Sequence, residues 1–479
     1  MKKNRIIHTS IWVFVSVFAW ISIPTNYVFS DPGAYLLLSN DLHNILDWEI
    51  ENPFPMRLGL LFMHWSSYKL LGVNDFSAFF PQLILFLVGI VTISVLSKDN
   101  VQLFVSNIVM LLALTMSKNV LPDLGAMVLL FLSTVFLARR DMNGKGNGIT
   151  FSGIVFAAFL FKMTAYYVGF VFIIIMIMDL YEGKIKQNRP FYIYSIATLL
   201  ILFTAYFSFC SLVWGDPLIR LSVASKSHHL WLLDDMISKI NRVVFSGLFG
   251  FQEMIGIPFT IACFYSLYIL FKKRNVGTGN EFERVTSIYF LTVLTLYIAG
   301  PISFSNYQVL PVSSRMMLIL LPPSAIFTGR TLSWFYNETK INGKTVMFTI
   351  FVLMLLHKSI YSPVKMILSK NIRESHQVRK ELVQIARANP EHHIIVAEGR
   401  TKKMISLYDG FRKEIMVRMS QCSYKNTEDH SIIYIDWGRS EFLKSAYGSN
   451  TCAMELSDIA HTSSFQILHD SKRYLIAIR

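Results

Sequence analysis

Long apolar runs separated by short polar segments fill the chain up to residue 361. A helix needs about 20 mostly apolar residues to cross the hydrocarbon core of a bilayer. Eleven runs meet or approach this length: 8–29, 76–97, 101–118, 123–138, 149–161, 165–180, 191–213, 252–271, 285–304, 316–334 and 345–361. The run at 149–161 is the shortest of them. The pattern predicts a polytopic α-helical membrane protein with about 11 spans.

The pattern changes after residue 361. Three short runs predict β-strands: His392–Glu398, Ser431–Asp436 and Arg473–Ile478. Asn371–Ala388 predicts a helix with one polar face, because it ends before Pro390 and mixes charged with apolar positions. We therefore divide the chain into a membrane body, 1–361, that carries an external loop at 30–75, and a small α+β domain, 362–479.

Composition agrees with the membrane assignment. Only 16% of the residues are charged, against about 25% in average soluble proteins, and 53% are apolar. These values exclude a disordered chain and argue against an ordinary soluble enzyme. The formal net charge is +14, which would suit nucleic acid in a soluble protein. In a chain this apolar, the excess of Lys and Arg is typical of cytoplasmic loops, so we expect no nucleic-acid partner.

The distribution of basic residues predicts the orientation. Lys2–Arg5 precedes the first span without a small-x-small cleavage site, so we interpret that span as an uncleaved anchor with a cytoplasmic N-terminus. Alternating the spans places seventeen Lys and Arg in the cytoplasmic segments and nine in the segments opposite. An odd number of spans then makes 362–479 extracytoplasmic. Cys422 and Cys452 would lie in that compartment, where a disulfide is permitted, and whether they pair is left open.

The external loop after the first span is acidic in an otherwise basic protein. Its opening stretch, 30–57, contains five acidic residues and one Lys or Arg, Arg57. Asp31 stands where the first span meets the external face, and a carboxylate at the rim of a membrane-embedded cavity can serve as a base. The alternative is structural: Asp31 precedes Pro32, the usual arrangement of a helix cap. Taken alone, Asp31 does not decide between them.

A second carboxylate strengthens the case for a site. Asp123, in Leu121-Pro122-Asp123, stands at the external start of the fourth span, where it too could cap a helix. Two acids at external helix ends are notable in a chain with few intramembrane charges. Together they could orient a hydroxyl and accept its proton.

Three basic residues lie on the same predicted face. Arg315 stands at the external start of the tenth span, where its guanidinium could bind a phosphate by two hydrogen bonds or could simply reach the membrane interface. Lys162 interrupts an apolar run between the fifth and sixth spans, and a charge there is costly without a role. Arg57 is the third.

Several motifs occur in an order that is characteristic of one family. They are Asp31-Pro32-Gly33-Ala34-Tyr35, Pro55–Phe62 continuing through Leu71–Phe76, Leu121-Pro122-Asp123, and Ser314-Arg315 with Leu318–Pro323. In their order along the chain and in the side of the membrane on which each is predicted to lie, over roughly residues 1–335, these motifs resemble those of the GT-C membrane glycosyltransferases. Within that superfamily the resemblance is to the protein O-mannosyltransferase-like enzymes and the lipid A aminoarabinose transferase.

The resemblance implies a function. It implies an inverting glycosyltransferase that uses a polyprenyl-phosphate sugar and acts on a glycan or lipid acceptor, such as O-antigen or lipid A, in a bacterial inner membrane. Asp31 would be the base and Asp123 would position the acceptor. Three side chains would stabilise the departing phosphate: Arg315, Arg57 and Lys162. Tyr35 would contact substrate. A monophosphate leaving group needs less charge neutralisation than a diphosphate, so no cofactor and no obligatory metal are expected.

Two other functions stay open. An O-antigen polymerase also has many spans and external loops, but it would be expected to carry two large loops with several Arg, whereas 214–250 is modest and mixed in charge. A transporter or flippase of lipid-linked sugars would show repeated halves and broken helices at the midplane, and the sequence has no such symmetry.

Overall fold

The computed structural model describes a defined part of the chain. The described residues are 2–23, 30–48, 50, 54–118, 120–228, 256–271, 281–299, 314–338, 343–368, 370–396, 416–419, 430–437, 440, 453–462, 465–471 and 474–479. Cys422 and Cys452 lie outside them, as do the side chains of Asp31 and Arg315. The chain divides into two compact units, one formed by Met1–Ile23, His43–Met63 and Pro81–Ile367, the other by Pro24–Leu42, His64–Phe80 and Leu368–Arg479.

Up to residue 368, the secondary structure of the described residues is helical. They are α1 Lys2–Ser22, α2 Ser30–Asn40, α3 Leu58–Leu71, α4 Asp75–Leu96, α5 Asn100–Met110, α6 Pro122–Ala138, α7 Gly144–Phe161, α8 Tyr167–Tyr181, α9 Ile185–Trp214, α10 Ile219–His228, α11 Gly256–Phe271, α12 Glu281–Ala299, α13 Leu321–Glu338 and α14 Lys344–Leu368. Short 3-10 segments occupy Leu42–Asp47, Leu111–Lys118, Met163–Tyr166 and Ser314–Leu320. Each of the eleven apolar runs is helical over its described part, except for the last described residue of 8–29 and the last residue of 76–97.

Five segments in the described part of the chain are long and apolar enough to cross a membrane. They are Arg5–Ser22, Phe76–Leu96, Asn100–Lys118, Met163–Tyr181 and Ile185–Trp214. Pro122–Ala138, Gly256–Phe271 and Lys344–His357 are apolar but shorter. The structure therefore supports a polytopic helical membrane protein, and the count of eleven spans stays a prediction.

A buried network of charges joins the ends of several helices in the first unit. Arg140, just after α6, donates from Nε and Nη2 to the carboxylate of Asp179 at 2.7 and 2.6 Å. Tyr192 Oη and Asn188 Nδ2 also donate to Asp179, at 2.7 and 2.5 Å. Glu281 adds a second acid to Arg140 at 2.8 Å. Burial alone would lower the pKa of Arg140, but hydrogen bonds and charge from Asp179 and Glu281 raise it overall. The network ties α6, α8, α9 and α12 together.

The C-terminal part forms one mixed sheet with helices on both faces. Its elements are α15 Lys370–Ala388, β1 His393–Val396, β2 Met416–Met419, β3 Ser431–Asp436, α16 Ala453–Thr462, β4 Gln466–Asp470 and β5 Tyr474–Ile478. The strand order is β2-β1-β3-β5-β4. β1 pairs with β2 and with β3 in parallel, whereas β5 pairs with β3 and β4 antiparallel.

Alternation along the strands builds two small cores. Ile432 and Tyr434 of β3 pack toward Val378, Leu382 and Ala386 of α15. The intervening residues of β3 pack with α16 on the other face: Ile433 and Ile435 against Ala453, Leu456 and Ala460. Because successive side chains on a strand point to opposite faces, one short apolar strand serves both helices. The predicted helix and three strands are present, and the structure adds β2, β4 and α16.

Candidate active site

Asp123 and Lys162 form a buried ion pair. Asp123 is the second residue of α6 and is 3% exposed, and Lys162 follows α7 and is 6% exposed. Lys162 Nζ donates to Asp123 Oδ1. The helix cap of α6 is Leu121, which makes no side-chain cap bond. Asp123 is thus not the cap residue of its helix: its carboxylate binds the ammonium group that the sequence singled out as a costly charge.

The backbone at Lys162 explains why the apolar run breaks there. Lys162 is extended, at φ −150° and ψ 136°, and separates α7 from the 3-10 turn that precedes α8. Its N–H still donates to Ala158 O at 2.8 Å, so α7 ends without losing that bond. From this position at the end of α7, the side chain of Lys162 extends toward the neighbouring α6, where Asp123 lies.

Phe161, the residue before Lys162, packs closely against two other helices. A Cβ on Gly59 of α3 would lie 2.8 Å from Phe161 Cδ2, and a Cβ on Gly125 of α6 would overlap the same ring. The ring therefore occupies space that two glycines on two helices leave free. Arg57 Nη1 donates to Phe161 O at 3.4 Å. Arg57 and Lys162, both predicted phosphate ligands, are thereby linked through one residue.

The structure adds a residue that sequence reasoning missed. Arg220, the second residue of α10, is 4% exposed, and its guanidinium carbon lies 4.2 Å from the Phe159 ring centroid. The pKa of Arg220 is lowered to about 10, first by burial and then by the positive charge of Arg57, while Tyr206 acts in the opposite direction. Arg57 Nε and both terminal nitrogens of Arg220 are buried without a hydrogen bond among the described residues.

An apolar, aromatic wall lies beside these arginines, with Phe159 in contact with Arg220. Its centre is formed by Met56, Tyr206 and Cys210, which are buried together. The partly buried residues packed on this centre include Phe156, Phe159, Phe207, Phe209, Trp214 and Ile219. Two guanidinium groups beside such a wall, with no carboxylate bonded to them in the part of the chain that the structure describes, form a site suited to an anion with an apolar tail.

The remaining predicted residues lie as follows. Asp31 is the second residue of α2, so the helix begins before Asp31 and not at Pro32. Tyr35 is buried on the same helix. Arg315 belongs to the 3-10 turn Ser314–Leu320, which contacts α6. No cluster of metal-ligating side chains found among the described residues includes Asp123.

Comparison with solved structures identifies the fold. ArnT from Cupriavidus metallidurans, a GT-C enzyme, matches this chain in its apo state with a TM-score of 0.60 and 12% identity, over 98% of this chain and 97% of ArnT. ArnT bound to undecaprenyl phosphate matches with a TM-score of 0.57 over the same shares, again at 12% identity. The chain has the GT-C fold. The expected resemblance to the GT-C superfamily is confirmed at the level of fold. No protein-family model and no curated protein matches the sequence.

Proposed function

We propose that this protein is an inverting glycosyltransferase that moves a sugar from a polyprenyl-phosphate donor to a cell-surface glycan or lipid, such as O-antigen or lipid A. The observation that carries the proposal is a pair of arginines, the half-buried Arg57 and the buried Arg220, beside an aromatic wall in a chain with the GT-C fold. The solved ArnT complex contains undecaprenyl phosphate. A phosphate on an isoprenoid chain would meet both the charge and the apolar surface of this site.

In the proposed reaction the acceptor hydroxyl attacks the anomeric carbon from the face opposite the phosphate. The new C–O bond forms as the bond from carbon to the phosphate oxygen breaks, so the configuration inverts. Asp31 takes the hydroxyl proton, and Asp123, fixed by Lys162, orients the acceptor. Tyr35 contacts substrate.

The leaving group departs as polyprenyl phosphate with its bonding electron pair. Arg57, Arg220 and Arg315 stabilise that charge, and Lys162 contributes from its place beside Phe161. Buried donors aimed at developing charge are worth about 10²- to 10³-fold in rate each in other enzymes. No cofactor enters this scheme.

The test is transfer in membranes supplied with polyprenyl-phosphate sugar and acceptor. We expect Arg220→Ala and Arg57→Ala to lower kcat/KM for the donor by about 10²-fold or more. Arg139→Ala, at an exposed arginine after α6, is the matched control and should leave transfer unchanged. Full transfer in both Arg57 and Arg220 variants would reject the phosphate site. Uptake or flipping without a glycosylated product would favour a transporter, and chain extension of a lipid-linked glycan would favour a polymerase.

We also propose that the protein resides in the bacterial inner membrane with a cytoplasmic N-terminus and a periplasmic 362–479. The asymmetry of Lys and Arg supports this orientation. Alkaline phosphatase fused after Arg479 should be active, because that enzyme needs periplasmic disulfides, and a fluorescent protein that folds only in the cytoplasm should be dark there. The opposite pair of results would reverse the topology.

A further inference from the structure

Three metal-ligating residues come together at one edge of the C-terminal sheet. Glu391 and His392 precede β1, and His430 precedes β3. β1 and β3 pair in parallel with His393 opposite Ser431. Parallel neighbours begin at the same edge of a sheet, so residues just before each strand meet there. The N–H of His393 donates to His430 O at 3.0 Å, and this hydrogen bond fixes the register at the start of the two strands.

The side chains of these residues are directed at one another. The rings of His392 and His430 have centroids 5.1 Å apart and planes at 81°. His392 Nδ1 lies 3.0 Å from Glu391 Oε1. This nitrogen is buried, and its contact with Glu391 does not have the geometry of a hydrogen bond. One nitrogen or oxygen atom from each of the three residues lies within 4.8 Å of the other two.

The spacing fits a small ion after slight rotation of the side chains. In a tetrahedral zinc site with bonds of about 2.0–2.1 Å, two ligand atoms are about 3.4 Å apart. In the structure Glu391 Oε1 and His392 Nδ1 are 3.0 Å apart, slightly less than that distance, and the ligand atoms of all three residues lie within 4.8 Å of one another. Rotation about the side-chain bonds of Glu391, which is half-exposed, would bring its oxygen into place.

The backbone of His430 gives independent support. Its φ of +73° lies in the left-handed region that residues other than glycine rarely adopt. Among the described residues, Asn143 is the one other non-glycine with positive φ, and its side chain caps α7. A non-glycine residue persists in this conformation when its surroundings hold it there, and such residues cluster at binding sites. At His430 the conformation places the ring against His392.

We propose that Glu391, His392 and His430 bind a divalent transition-metal ion, with Zn²⁺ as the fitting occupant. Two imidazole nitrogens and one carboxylate oxygen suit Zn²⁺ and not Mg²⁺ or Ca²⁺, which take oxygen ligands. Three protein ligands leave the fourth position to water, in keeping with the exposed edge. The ion would join the α15–β1 turn to the start of β3. This site is separate from the proposed transfer chemistry, in which no metal takes part.

The experiment uses the full-length protein in detergent, with any affinity tag removed and bound metal stripped by a chelator. Zn²⁺ is then titrated calorimetrically, and Co²⁺ is added in parallel because its visible absorption reports nitrogen and oxygen ligation. We expect one site in the wild type whose affinity falls at least about tenfold in Glu391→Gln, His392→Ala and His430→Asn. Asn tolerates the left-handed backbone, so His430→Asn removes the ligand without refolding the turn.

His461→Ala is the matched control. His461 lies in the same domain and contacts Asp470 at 3.3 Å, apart from the proposed ligands. It should retain the site and the Co²⁺ spectrum. The proposal is overturned if the wild type binds no Zn²⁺ at micromolar concentration. It is overturned equally if the site survives in the Glu391, His392 and His430 variants, or is lost with His461.

Discussion

Lys162 Nζ donates to Asp123 Oδ1 across a buried contact between α7 and α6, and it does so at the residue where α7 stops. The pair places a carboxylate and an ammonium group together where both are shielded from water. The effects of the two residues can be measured separately, because Lys162 can be substituted alone or together with Asp123. The proposed role of Asp123 in transfer and its structural role then give different results.

Removing Lys162 alone should destabilise the protein. Lys162→Met leaves Asp123 buried without its ammonium, which costs about 3–5 kcal/mol in comparable buried pairs. The double variant Asp123→Leu with Lys162→Met removes both charges and should recover most of that loss. Thermal unfolding in detergent measures both. If Asp123 acts on the acceptor, the double variant regains stability and still fails to transfer, whereas recovery of transfer would reduce Asp123 to a structural residue.

Gly125→Ala should disturb the site through Phe161. A methyl group at Gly125 would overlap the Phe161 ring. The backbone carbonyl of Phe161 accepts a hydrogen bond from Arg57, and the next residue in the chain is Lys162. We expect lower thermal stability and at least about tenfold lower kcat/KM, since overpacking in a tight core costs about 1–3 kcal/mol. Gly153→Ala is the control: it is also helical and has nothing within 4 Å of the added carbon. There the exchange should be neutral or slightly stabilising, and an equal loss at both positions would contradict the role of Phe161.

Arg220→Met should stabilise the empty protein while it abolishes ligand stabilisation. The lowered pKa of Arg220 means that its charged form is less favoured in the folded chain than in the unfolded one. This cost is fully present below pH about 10, and it disappears only as the pH rises toward the unfolded value. Its removal should raise unfolding stability by about 1–3 kcal/mol at neutral pH.

The readout is the melting temperature with and without undecaprenyl phosphate. Ligand should raise it in the wild type and in Arg139→Met, an exposed arginine after α6, but not in Arg220→Met. A variant that is less stable when empty would show that Arg220 is satisfied in the folded protein. Ligand stabilisation that persists in the variant would place the phosphate elsewhere.

Arg140→Ala should affect folding and not the chemistry. Arg140 is bonded to Asp179 and Glu281, and its loss leaves a buried carboxylate bonded only by Tyr192 and Asn188 among the described residues. A loss of about 3–5 kcal/mol is expected. The protein that does fold should keep the donor KM of the wild type. Arg139→Ala, at the preceding residue, should change neither quantity, and a changed KM in folded Arg140→Ala would link this network to the site.

Much of the fold follows from the sequence because apolar runs of span length have few other outcomes. The predicted span 123–138 and α6 Pro122–Ala138 differ by one residue at the start. β4 was missed for the opposite reason: Gln466–Asp470 lies at the edge of the sheet, mostly exposed, and therefore carries no alternation of buried and exposed positions. Local pattern reports burial, and edge strands have little of it.

The same limit of local pattern explains why one site residue could be predicted from the sequence and another could not. Lys162 could be found in the sequence because a charge inside an apolar run requires an explanation. Arg220 could not, since it stands in the mixed-charge stretch 214–250, which the sequence predicts to be an external loop and where an arginine is ordinary. Arg220 packs on Phe159, and its charge is repelled by that of Arg57, which is separated from it by 163 positions in the chain (220 − 57). No local signal encodes such a meeting.

The two uncompensated arginines also bear on turnover. Both the sugar-loaded carrier and the spent one present a phosphate, so a site that gains stability from phosphate holds product as firmly as substrate. Release of the spent carrier would leave the two arginines without a bound phosphate, which is the least favourable electrostatic state of the protein. Under the proposed function, the slow step then lies after the sugar has left, and bare polyprenyl phosphate should inhibit competitively against the donor. The rate of such an enzyme would be governed by how quickly the membrane removes its spent lipid.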